Sequence, residues 1–156
     1  MRPVTSTADL WDDHPDDAVT CELQFRRFGG LAAFSGEIST VRSPEDNVLI
    51  KRCVSSPGNG RVLVVDGGGS FRCALVGDNV AGLALENGWS GIVINGCVRD
   101  VEALSRLPIG VSALGSNPRP SAKNGVGEVD VPVTFGGATF TPGARLYADP
   151  DGILVL

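Results

Sequence analysis

Asp78 precedes an Arg99-Asp100 pair, with positions 79 to 98 between them. Two carboxylates and a guanidinium can hold a small anion against a divalent metal. Aspartate oxygens are hard ligands, and Mg²⁺ typically takes one or two of them, leaving the rest to water or substrate. An arginine fork grips a carboxylate bidentately. Gly77-Asp78-Asn79-Val80 reads as the opening of a helix. The first N–H groups of a helix are free and carry partial positive charge, which suits a carboxylate or phosphate. The same residues have plainer uses: an Arg-Asp pair is commonly a surface ion pair, and Asp78 a simple N-cap.

The elements that must position this set are legible in the apolar pattern. Arg61–Asp66 and Gly91–Asn95 are short continuous apolar runs, the mark of strands buried on both faces. Between them Asp78 could cap a helix through Val80, Ala81, Leu83, Ala84 and Leu85, with Gly88 past its end. Residues 31–42 read as an earlier strand, Val101–Leu107 as a brief helix and Ile109–Leu114 as a third buried strand. Ser43, Pro44, Glu45 and Asp46 look like a helix start, with Val48, Leu49 and Cys53 on its buried face. Ser6 and Asp9 are spaced to open another short helix.

The alternation is βαβαβ, so the chain predicts a parallel sheet. One helix and one strand return the chain to the same sheet edge, so Asp78 and Arg99-Asp100 should meet there, at the carboxyl ends where such sheets bind ligands. The last third changes character. Gly136-Gly137 and Asp149-Pro150-Asp151-Gly152 each read as a hairpin turn. The expected fold is α/β, a parallel βαβ core with an added β layer, in a single domain over 1–156.

Composition narrows the function classes. With net charge −5 the chain lacks the basic footprint of a nucleic-acid binder. No apolar stretch is long enough for a membrane span, and MRPVTSTADLWDDHPDD has no signal-like apolar segment. Cys21, Cys53, Cys73 and Cys97 show no CxxC spacing and the one histidine is His14, which argues against a structural zinc site. They read as reduced, mostly buried thiols in a cytoplasmic chain. His14 reads as an exposed turn residue, and Trp11 and Trp89 as packing residues. Gly67-Gly68-Gly69 is weakly similar to the first loop of nucleotide or S-adenosylmethionine binders, but no GK[ST] follows.

The run VLVVDGGGSFRCALVGDNVAGLALENGWSGIVINGCVRDVEAL resembles the RraA family, named for regulators of RNase E activity. TADLWDD, FGGLAAFSGEISTV, PEDN and FGGATFTPGARLYADPDGILVL extend the likeness over nearly the whole chain. The resemblance implies a swivelling β/β/α-type fold in a ring-shaped homotrimer. It also implies one of two functions. One is a metal-dependent aldolase that cleaves 4-hydroxy-4-methyl-2-oxoglutarate to pyruvate and decarboxylates oxaloacetate. The other is a regulator that binds RNase E or a related RNA-processing protein. Family members also once carried the name demethylmenaquinone methyltransferase.

In the aldolase branch Asp100 would ligate Mg²⁺ or Mn²⁺ and Asp78 would support it. Arg99 would hold the substrate's keto oxygen, and the backbone N–H groups of Gly77, Asp78, Asn79 and Val80 its carboxylate. Breaking a carbon–carbon bond beside a 2-oxo group leaves an enolate, which needs a lysine imine or a Lewis acid as electron sink. Lys51 on its helix and Lys123 in a Gly/Ser/Pro-rich loop are not expected near the sheet edge, which favours the metal. The chain departs from the enzyme pattern at Ala103, where an acid is usual, although Glu102 is adjacent. It also stops at Leu156, without the extension that lends an acid to a neighbouring subunit in longer aldolases. Decarboxylation, which needs less acid–base help, is therefore expected to be the more robust activity.

Overall fold

The structure, a computed structural model, describes residues 5–156. The first half of the chain forms α1 (Thr7–Asp13), β1 (Val19–Cys21), β2 (Arg26–Arg27), β3 (Phe34–Arg42), α2 (Val48–Val54), β4 (Val62–Asp66) and β5 (Ala74–Val76). Next come α3 (Asp78–Glu86), β6 (Gly91–Val98), α4 (Val101–Ser105) and β7 (Gly110–Ser116). The rest is strand: β8 (Glu128–Val129), β9 (Val133–Phe135), β10 (Ala138–Phe140), β11 (Arg145–Asp149) and β12 (Gly152–Val155).

Strands β3, β4, β6 and β7 pair in parallel, as the apolar runs predict. Their side chains are apolar on both faces, and alternation sorts them. Leu63, Val65, Ile92 and Ile94 join Leu49, Ile50, Val80, Ala81, Ala84 and Leu104 under the helices. Val62, Val64 and Val93 point the other way, into a second core with Phe135, Phe140, Leu146 and Ile153. That second core is the added β layer. β3 joins the layers, because Phe34–Glu37 pairs antiparallel with β11 while Ile38–Arg42 pairs parallel with β4. Burial on both faces of the parallel strands is the main driving force of the fold.

The hairpins stand where their turns predict. Gly136 and Gly137 both have positive φ (58° and 77°), as a type I′ turn requires between β9 and β10. Asp149 and Gly152 close the β11–β12 turn. The Asp149 carboxylate also accepts from the Thr7 N–H at 2.8 Å and its hydroxyl at 2.7 Å, which moors α1. Ser6 caps α1 as expected. His14 is exposed at the end of α1, and Trp89 is buried with Arg61 over its ring. Trp11, however, is exposed (42%) because it lies on the outer face of α1. All four cysteines are free thiols, with Cys53 only half-buried. No helix among the described residues is long and apolar enough to cross a membrane.

The region before α2 departs from expectation. Ser43 does not cap a helix; it is buried and its hydroxyl donates to the carbonyls of Asp46 and Val126. Glu45 has positive φ (55°), which breaks the helical path and delays α2 to Val48. The buried face is then Leu49, Ile50 and Val54, with Val48 and Cys53 only half-buried. Asp46 is the organiser. Its carboxylate accepts from the N–H groups of Val48 (3.1 Å), Asn124 (2.6 Å) and Gly125 (3.2 Å). It thereby ties the start of α2 to the 117–127 segment, and a bridge between Asp46 and Ala122 reinforces the tie.

Burial alone would raise the Asp46 pKa, but the backbone N–H donors outweigh it and hold the pKa below the ordinary range. A depressed folded pKa gives stability that is present above the unfolded value, about 3.9. That stability is lost as pH falls through the folded value. Asp46→Asn should therefore destabilise the fold by about 1–3 kcal/mol near neutral pH, with a smaller penalty near pH 3. Urea unfolding at the two pH values checks this.

Candidate active site

Asp78 and Arg99-Asp100 do meet at the carboxyl edge of the sheet, through a contact that spacing alone does not specify. The N-cap of α3 is Gly77, and Asp78 is the first helical residue. Its N–H donates to Asp100 Oδ2 at 3.1 Å, so Asp100, not Asp78, caps the helix. Asp100 reaches it because its backbone is left-handed (φ 60°, ψ 44°). In this conformation its carbonyl starts α4, accepting from the Leu104 N–H at 2.9 Å, while the side chain serves the neighbouring helix. The two ends are pinned further by the Arg99 N–H, which donates to the Val76 carbonyl at 3.0 Å.

The strand pattern explains the placement. β6 pairs with β4 only as far as Asn95. From Cys97 to Val98 its partner is β5, which enters parallel after the 67–73 loop. β6 thus runs on past the end of β4 before releasing Arg99 and Asp100 beside the start of α3. Gly77 permits the approach, since a Cβ there would lie 2.5 Å from Asp100 Oδ2. The glycine turn after β4 has another use than the one its sequence suggests. The N–H groups of Gly67 and Gly69 donate to the Asn95 carbonyl, and that of Gly68 to Asp66 Oδ1. None is left to cradle a phosphate or S-adenosylmethionine.

A cleft of about 240 Å³ opens here. One wall carries Gly77, Asn79, Val80, Arg99 and Asp100; the carboxylate of Asp78 is not part of its lining. The first intrahelical bond runs from the Ala81 N–H to the Gly77 carbonyl. The N–H groups of Asn79 and Val80 have no acceptor among the described residues. They are the donors free for an anion. Arg99 and Asp100 are exposed, and Arg99 also borders a second depression with Asn117 and Pro118.

The other wall overturns the expectation for the lysines. Lys51 and Lys123 both line the cleft. The Asp46 carboxylate, bound to the Asn124 and Gly125 N–H groups, folds the 117–127 segment across the sheet edge and brings Lys123 with it. Lys51 follows because α2 starts late, at Val48 with Asn47 as its N-cap, which puts Lys51 in the first turn of the helix. Nothing local in the sequence shows which buried group anchors that loop, so spacing alone puts neither lysine at this edge. Their positions remove distance as a ground for excluding a lysine imine.

No three His, Cys, Asp or Glu side chains converge on one point among the described residues. Asp100 keeps one carboxylate oxygen free of the helix cap, and Mg²⁺ or Mn²⁺ needs only one or two protein carboxylates. The donor set thus fits a largely hydrated cation held through Asp100, not a closed protein cage. The thiols offer no alternative, since burial pushes Cys73 and Cys97 above the usual thiol range.

Fold and cleft together define an α/β domain with a cleft lined by Arg99, Lys51 and Lys123 at the carboxyl edge of a parallel sheet. The chain belongs to the RraA-like family, described as Aldolase/RraA, whose model matches residues 7–155. It is similar to a crystal structure from Geobacillus kaustophilus named as S-adenosylmethionine: 2-dimethylmenaquinone methyltransferase. The identity is 48%, the TM-score 0.95, and 97% of this chain and 94% of that one are covered. The RNA-processing inhibitor RraA from Thermus thermophilis is 47% identical, with TM-score 0.96 and coverage of 99% and 93%. An unusual RNase ES inhibitor family member from Streptomyces coelicolor shares the fold at 23% identity, TM-score 0.80, with coverage of 97% and 81%. The family supports aldolase-type or RNase-inhibitor roles.

Gly77→Ala tests the packing of the site. The added methyl should drive the Asp100 carboxylate off the Asp78 N–H and weaken oxalate binding by about tenfold or more. The variant should remain folded, because Gly77 lies at the half-exposed edge. Calorimetry with circular dichroism reads both.

Proposed function

We propose that this protein is a divalent-metal-dependent lyase acting on small 2-oxo acids. It cleaves 4-hydroxy-4-methyl-2-oxoglutarate to pyruvate and decarboxylates oxaloacetate. The observation that carries this reading is the junction of Arg99, Asp100 and the open first turn of α3 in one cationic cleft. The assembly that goes with the reading is a homotrimer.

Each role follows from a position. The Asn79 and Val80 N–H groups bind the carboxylate next to the keto carbon, where the helix dipole adds to the attraction. Arg99 donates to the keto oxygen and stabilises the negative charge that builds there as the carbon–carbon bond breaks. Asp100 would hold the cation, while its second oxygen stays on the Asp78 N–H and fixes the carboxylate's direction. Asp78 acts through its backbone N–H, since its carboxylate lies outside the cleft lining. When bound, Mg²⁺ or Mn²⁺ supplies a Lewis acid for the enolate charge. Oxaloacetate loses its C4 carboxylate as CO₂ and leaves pyruvate enolate, which needs only one proton to become pyruvate. The aldol substrate must also give up its hydroxyl proton. Ala103 stands where other enzymes carry an acid, so decarboxylation is the activity these residues support best.

A regulatory role is the second reading, favoured by the inhibitor named at 47% identity. An acidic chain of net charge −5 would compete with RNA for a basic segment of an RNase E-type partner. That role needs surface contacts and not the Arg99-Asp100 cleft. A methyltransferase role would need the glycine turn or another site to bind S-adenosylmethionine, which calorimetry tests.

Loss of oxaloacetate with Mg²⁺ or Mn²⁺, minus the metal-only background, should be abolished by excess chelator. Arg99→Ala and Asp100→Asn should each lower it by about 10²-fold or more. A rate no higher than background contradicts the lyase. Inhibition of an RNase E-type enzyme that both variants retain would then support the regulator.

A further inference from the structure

Lys51 and Lys123 both line the cleft, and neither is in an ion pair. Among the described residues the ion pairs are Arg42–Glu128 and Arg72–Glu45. Lys123 Nζ instead donates to Asn47 Oδ1 at 3.1 Å. Asn47 is itself held, its amide donating to the Leu75 carbonyl at 3.3 Å. Lys51 lies one helical turn along, its N–H on the Asn47 carbonyl at 3.0 Å. A neutral amide thus steers one cation, and the helix that begins beside that amide carries the other.

The charge balance asks for more than one carboxylate. Arg99, Lys51 and Lys123 line the cleft against Asp100 as its one acid, a formal excess of two positive charges. A cation bound at Asp100 would widen the excess. With Mg²⁺ or Mn²⁺ there the excess is four, of which a monoanion offsets one and a dianion two. The donors also come from two separate sets of elements. The α3 first turn and Arg99 form one, and α2 with the 117–127 segment forms the other. In an acidic protein, a local positive cleft also concentrates anions from solution.

We infer that Lys51 and Lys123 bind the second carboxylate of a dicarboxylic 2-oxo acid and so determine the substrate class. This rests on the lyase reading for the seat of the first carboxylate. A monocarboxylic 2-oxo acid fills only the Arg99 wall and binds more weakly. Lys51 and Lys123 act here as charged hydrogen-bond donors, and form no covalent bond to substrate.

Calorimetry with malate and oxalate separates the two walls. Malate presents two carboxylates at the separation found in oxaloacetate and does not react; oxalate carries the same charge but, with its carboxylates directly bonded, mimics only the 2-oxo acid end. Lys51→Met and Lys123→Met should each weaken malate by about tenfold more than oxalate, and Lys51→Arg should retain most malate affinity. The KM for oxaloacetate should rise about tenfold in the Met variants, with a smaller change in kcat. Equal loss for both ligands, or none for malate, overturns the inference. So does a borohydride-trapped pyruvate adduct on either lysine, which would make that lysine a nucleophile. The binding arm needs no turnover. Lysine-dependent malate binding without decarboxylation would therefore overturn the lyase and leave the lysine carboxylate site standing.

Discussion

The hydrogen bond from the Asp78 N–H to the Asp100 carboxylate fixes the geometry of the whole site. A helix start is ordinarily capped by the residue just before it. Here that residue is Gly77, which has no side chain, and the cap arrives from the end of a neighbouring strand. The arrangement locks α3, β5 and β6 to one another at the point where an anion would enter. It also commits Asp100 to one orientation while leaving its other oxygen for a ligand. The left-handed backbone at Asp100 and the bare Cα of Gly77 are the two local conditions it requires.

A second buried carboxylate frames the opposite wall. Asp46 is almost fully inaccessible, yet it accepts three backbone N–H bonds, so its charge is compensated by dipoles in place of a cation. Through it the 117–127 segment is held against the start of α2. Each wall of the cleft therefore depends on one aspartate that binds main-chain N–H groups. Three cationic residues, Lys51, Arg99 and Lys123, line this cleft, although the chain as a whole is acidic.

Much of the fold can be read from the sequence because its signals are local. RVLVVD and GIVIN announce strands buried on both faces, and Gly136-Gly137 announces a tight hairpin. Counting one helix and one strand between Asp78 and Arg99 suffices to bring them to one edge. What escapes is what depends on distant partners. Ser43 carries a helix-start signal, but its hydroxyl serves the Asp46 and Val126 carbonyls and the helix waits until Val48. Asp78 has the right type for a cap, but its N–H is capped by a residue 22 positions on. The placement of Lys123 follows from a contact between positions 46 and 124, which no periodicity records. Family likeness likewise says nothing of the lysine wall, which emerges from packing alone.

The central claim is that the free oxygen of Asp100, beside the first turn of α3, is where a divalent cation and its anionic ligand sit. Paramagnetic broadening of backbone amide resonances during a Mn²⁺ titration tests it most directly. The account predicts that amides of residues 77–80 and 99–101 broaden first, and that Asp100→Asn abolishes the effect. Broadening confined to the acidic run from Asp12 to Asp17, with the α3 amides untouched, would contradict it.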